Sequence, residues 1–99
     1  MLKAAFIFVA PEADSKQHRS VITTPAVELT VVGVSNVQSA RAVVEELVEQ
    51  GIGAIELCGG FGHEGVAAVK KAASKKAVVG VVRFDIHPGL EGKSGDDVF

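Results

Sequence analysis

Four runs of β-forming apolar residues divide this chain, at Leu2 to Val9, Val27 to Val34, Ile52 to Cys58 and Ala77 to Ile86, with helix-compatible segments between them. Runs that stay apolar at successive positions are expected in strands covered on both faces of a parallel sheet. Their alternation with helices predicts an α/β domain of βαβαβαβ order. This is a four-stranded parallel sheet, flavodoxin-like or half-barrel-like. At 99 residues the chain is expected to form a single domain, 1–99, in which 88–99 reads as an irregular tail rich in Gly, Lys, Ser and Asp.

The clearest helix follows the second run. Ser35 is its expected N-cap, Gln38 completes a capping box, and Ala40, Val43, Val44, Leu47 and Val48 form one apolar stripe before Gly51 stops it. A second helix is expected over Glu64 to Ser74, with Val66, Val69 and Ala73 turned inward. A short one is expected from Asp14, as N-cap, to about Ile22, closed before Pro25.

Hydrophobic residues make up 47% of the chain, enough in so small a domain to predict a homo-oligomer that covers some apolar surface. The 10 basic and 12 acidic residues are interspersed, with no basic stripe and few aromatics, which argues against a nucleic-acid partner. One cysteine cannot form an intrachain disulfide, so a cytoplasmic location is expected. Lys3 before Ala4 to Ala10 makes a poor signal peptide, and no apolar run approaches the roughly 20 residues that span a bilayer, so no membrane association is expected.

Chemistry concentrates between Ile55 and Val66, where a strand end, a glycine turn and a helix start follow one another. The amides of Gly59, Gly60, Phe61 and Gly62, together with the helix N-terminus, offer an anion cradle, and Cys58 stands at the strand tip as a candidate nucleophile. Alternation along the fourth run sets Arg83, Asp85 and His87 on one face, and alternation along the third does the same for Glu56 and Cys58. If those strands are neighbours, Glu56 pairs with Arg83 in a supporting salt bridge. Cys58, His63, Asp85 and His87 then meet as the catalytic set, with Arg83 joining the glycines in anion binding.

Three chemistries compete for that edge. Cys58 can act as a thiolate with His63 or His87 as base, and the same four residues, Cys58, His63, Asp85 and His87, are a ligand set for a divalent metal such as zinc. Gly60, Gly62 and Gly65 also fit the G-x-G-x-x-G pattern after a strand, with Asp85 at the end of the next one, which is a nucleotide-phosphate reading. The function expected from the residues is binding or turnover of a small anionic metabolite at the carboxyl edge of the third and fourth runs. The alternative is a structural homo-oligomer whose polar strand residues only tie subunits together.

The stretches Ile55–Val66 and Val82–Gly89, with the opening Lys3–Asp14 and Val27–Val34, are similar to those of an uncharacterised family of small α/β proteins, a domain of unknown function. The resemblance covers nearly the whole chain. It implies no activity and no catalytic residue.

Overall fold

A computed structural model describes residues 1–99 as a five-stranded mixed sheet with two α-helices. The order is β1 (Leu2–Val9), β2 (Arg19–Thr23), β3 (Val27–Val34), α1 (Val37–Glu49), β4 (Ala54–Leu57), α2 (His63–Ala73) and β5 (Val78–Val81). In space the strands run β2-β3-β1-β4-β5, all parallel except β2, which is antiparallel to β3. The α/β class is as expected. The four-stranded βαβαβαβ repeat is not, because one predicted helix is a strand.

That strand replaces the helix expected from Asp14 to Ile22, and the local chemistry explains why. Asp14 behaves as a cap, its Oδ1 accepting from the Lys16 and Gln17 amides at 2.8 and 3.0 Å, and the His18 amide closes one turn onto the Asp14 carbonyl. Propagation then fails. The next residues, Val21 to Thr24, are all β-branched and Pro25 follows, so pairing with β3 (Val21 opposite Thr30, Ile22 opposite Leu29) outcompetes a second turn.

Arg19 fastens β2 to α1 through both nitrogens, Nη1 to Glu46 Oε2 at 2.7 Å and Nη2 to Oε1 at 3.1 Å. These hydrogen bonds are the main reason the Glu46 carboxyl lies below its ordinary value of 4.5. A carboxyl depressed on folding stabilises above its unfolded value, and that contribution is lost as pH falls through the folded one. The Glu46 side chain is 43% exposed, so the pair is worth at most about 1 kcal/mol. We expect wild type to lose more stability than Arg19→Gln as pH drops below about 4.5; superimposable acid-unfolding curves would count against the latch.

Helix α1 starts one residue later than the capping box predicts, because Asn36, as good a cap as Ser35, accepts from the Ser39 amide at 2.7 Å. Its C-terminal end is as expected, with Gly51 at φ +90° and the Ile52 amide bonded to the Leu47 carbonyl. Ala40, Val43, Val44 and Leu47 are buried from α1, and Val69 and Ala73 from α2. They pack on Ala5, Ile7, Val9, Val32, Val34, Ile55 and Leu57, alternate residues that all lie on one face of the sheet. Both helices therefore cover the same face, and the chain is a two-layer sandwich with the opposite sheet face open. No helix is long and apolar enough to cross a membrane.

Strand β1 sits between β3 and β4, and the connections that follow β1 and β4 leave in opposite directions across the sheet. Such a switch point opens a crevice at the carboxyl ends of the two strands.

Candidate functional site

The crevice is lined from β1 by Val9, Ala10 and Pro11 and from the end of β4 by Cys58, Gly59 and Gly60. Its outer wall comes from the C-terminal segment, as His87, Gly89, Leu90 and Phe99, and the cavity enclosed is about 240 Å³. The site thus sits between β1 and β4, one strand away from the expected edge between β4 and β5.

Local hydrogen bonding explains the shape of the turn. The Cys58 amide is the last to pair with β1, donating to the Ile7 carbonyl at 3.1 Å, after which the chain bends and the Phe61 amide returns to the Cys58 carbonyl at 3.2 Å. Cys58 Sγ accepts from two backbone amides, Val9 at 3.5 Å and Gly60 at 3.3 Å. The Gly59 N–H donates to no group of the chain, although Gly59 is buried. A buried amide without a partner beside a cavity is a donor available to a ligand. Gly59 also has no room for a side chain, since a Cβ there would meet the Phe84 ring.

His87 is held from three directions. Its amide donates to the Lys93 carbonyl at 2.9 Å, its ring lies 4.5 Å from that of Phe84 at 51°, and its Nδ1 accepts from the Gly89 amide at 2.9 Å. With Nδ1 acting as acceptor, the ring proton of the uncharged imidazole resides on Nε2, which makes His87 a hydrogen-bond donor and not a general base. The arrangement offers a binding wall of Val9, Pro11, Leu90 and Phe99 with three polar features, the Cys58 thiol, the Gly59 N–H and the His87 ring.

The other expected residues lie elsewhere. Strand β5 ends at Val81 because its neighbour β4 ends at Leu57, whose carbonyl takes the last amide, from Val82. Beyond it the alternation that was to align Arg83, Asp85 and His87 no longer applies. Arg83 bonds Asp85 Oδ1 at 3.0 Å and the Nε2 of His63, forming a separate cluster in which the Asp85 side chain is 93% exposed. Glu56 makes no salt bridge with Arg83 and stands on the open face of the sheet. No three His, Cys, Asp or Glu side chains come together as metal ligands, so the zinc set of Cys58, His63, Asp85 and His87 is divided between two places. The Phe61 side chain is 2% exposed and belongs to the core.

The anion cradle has an occupant from the chain itself. Asp96 places its carboxylate on the first turn of α2, accepting from the Glu64 amide at 3.1 Å and the Gly65 amide at 3.2 Å. Those are the amides that the Gly60, Gly62 and Gly65 pattern would have turned toward a phosphate. Gly62 is the N-cap residue and has no capping side chain, so Asp96 performs that role from the far end of the sequence. Phe99, at the end of the segment read as an irregular tail, packs on this chain's own core.

Asp96 and the walls Val9, Pro11, Leu90 and Phe99 were not foreseen from the sequence. The β1 residues carried a signal, since the carboxyl end of the central strand is where such a crevice forms once β1 is placed in the middle. The tail residues carried none.

A family model described as a family of unknown function (DUF6506) matches residues 2–97. No curated protein and no solved structure matches the chain.

Proposed function

The chain belongs to this family of unknown function, and since membership brings no activity with it, we propose from the geometry that the protein binds a small carboxylate-bearing metabolite in the cavity beside Cys58. The observation that carries the reading is the unpartnered Gly59 N–H beside His87 at a switch-point crevice with apolar walls. Gly59 and His87 line the same cavity and each offers a donor to an acceptor group, and the apolar residues accept a short hydrocarbon body. At about 240 Å³ the cavity is below the usual range for drug-sized ligands, so the ligand is small. Turnover through Cys58 is the secondary reading. Two backbone N–H groups aimed at Sγ support it by fixing the thiol at the cavity wall, but His63 contacts Arg83 and does not line the cavity, and His87 is oriented as a donor.

Cys58 is the sole cysteine and lines the cavity, so it reports directly on what enters. Iodoacetate and iodoacetamide are nearly equal in size and differ in charge. We expect the folded protein to favour iodoacetate, relative to iodoacetamide, about tenfold more than the urea-unfolded chain does, the worth of one hydrogen bond to a charged group. His87→Ala should lower that preference. Equal preferences in the folded and unfolded states, or a thiol inert to both reagents when folded, would remove the carboxylate reading.

A further inference from the structure

The sheet face opposite the helices carries an unbroken apolar row across all five strands. Ile22 pairs with Leu29, Leu29 with Ala4, Ala4 with Ala54 and Ala54 with Val78, so these five side chains stand side by side on one face. Phe6 and Val31 are paired in the next row, and the Phe8 ring lies over Gly33 beyond it. None of these residues is among the partly buried side chains that pack against the core. Ile22 is 53% and Val78 71% exposed. On the helical face the three central strands bury Ala5, Ile7, Val32, Val34, Ile55 and Leu57, and only edge-strand residues such as Val21 and Val81 stay exposed, so the central part of the sheet is covered on one side alone.

We propose that this face is the interface of a homodimer, in which two copies stack sheet against sheet. At about 3.3 Å per residue along the strands and about 4.8 Å between them, the face spans roughly 450 Å² in projection. Side-chain relief adds to that, so two copies bury about 1,000 Å² or more together, the lower bound of a specific interface. A patch of this size is comparable to the largest one that monomers expose, and such patches are often functional. The occupant is a second copy because of what the face lacks: Glu56 is the one ionisable side chain in the two rows, so a differently charged partner finds nothing to pair with. Two flat, twisted, apolar sheets fit one another at about 10 Å separation, and a twofold arrangement closes the assembly at two. Glu56 lies in the second row, between Phe6 and Gly80 and directly beside the all-apolar row, so its carboxylate is the one polar group the contact has to accommodate.

Sedimentation equilibrium of the full chain decides the matter. Wild type at micromolar concentration should show about twice the chain mass of 10.2 kDa. The double variant Ile22→Lys/Val78→Lys should retain the wild-type circular dichroism, since both side chains are exposed in the monomer, and should dissociate at least about 100-fold more readily because it would bury unpaired ammonium groups. A wild type that sediments as a monomer overturns the proposal, as does binding of an unrelated protein on this face in its place. A double variant that stays dimeric also overturns it, since pairing through the β2 or β5 edge leaves these side chains free.

Discussion

Gly95→Ala is expected to detach the last five residues from the body of the protein. The Gly95 α-carbon lies against the glycine turn so closely that a methyl group would run into the Gly60 carbonyl, with the Gly62 amide nitrogen just behind it. All of these are backbone atoms of a turn pinned by α2, so the mobile partner, the C-terminal segment, is the one that gives way. Its departure removes the Asp96 cap from the Glu64 and Gly65 amides, worth about 1 kcal/mol, and uncovers the partly buried Phe99 ring, worth about 1 to 2 kcal/mol more. The total, about 2 to 3 kcal/mol, is also the ceiling, because a segment that has left cannot be strained further. Thermal unfolding should shift down by roughly 10 to 20 °C, and limited proteolysis should clip the chain after Lys93, where wild type resists. Asp96→Ala, which removes only the cap, should cost about half as much. A Gly95→Ala protein with the wild-type melting temperature and digestion pattern would show that the segment does not dock.

The same docking explains why the candidate site was only partly legible in the sequence. Cys58 and the glycine turn could be found because a strand tip, three glycines and a helix start are neighbours in the chain. The outer wall could not, because Leu90 and Phe99 reach the cavity through two short 3₁₀ turns, Pro88–Leu90 and Gly95–Asp97, that leave no periodicity to read. His87 arrived at the site for a different reason from the one expected. It was placed by extending the alternation of a strand, whereas it is held by the Lys93 carbonyl, the Gly89 amide and the Phe84 ring.

For the fold, long periodic segments were readable and competition between neighbours was not. The stripe Ala40, Val43, Val44 and Leu47 is buried as its spacing demands. The continuous runs of β1 and β3 predict strands covered on both faces, yet both helices lie on one. Apolar residues on the second face have the same signature whether a helix or another copy of the sheet covers them. Nor does the sequence disclose that β5 stops at Val81, since that length is dictated by the four residues of its neighbour β4.

Phe61→Ala should be the most damaging single substitution of those considered. Phe61 is the largest side chain in the fully buried core, and its ring edge lies in the gap above Gly65, across from Val37. It therefore joins the glycine turn, α2 and the start of α1 at one point. Truncation to alanine removes most of a buried ring and leaves a cavity that two helix ends and a pinned turn cannot readily close, so a cost of about 3 to 5 kcal/mol is expected. Against a total stability of about 5 to 15 kcal/mol for a domain of this kind, that loss threatens folding near 37 °C. Phe61→Leu keeps most of the volume and should cost about 1 to 2 kcal/mol. The series also separates the two roles open to this residue. A core residue gives melting temperatures that fall in the order Phe, Leu, Ala, and the iodoacetate preference of Cys58 persists as long as the protein is folded. A ligand-contacting residue gives the opposite pattern, a stable Phe61→Ala protein that has lost the preference, and that result would return Phe61 to the binding surface.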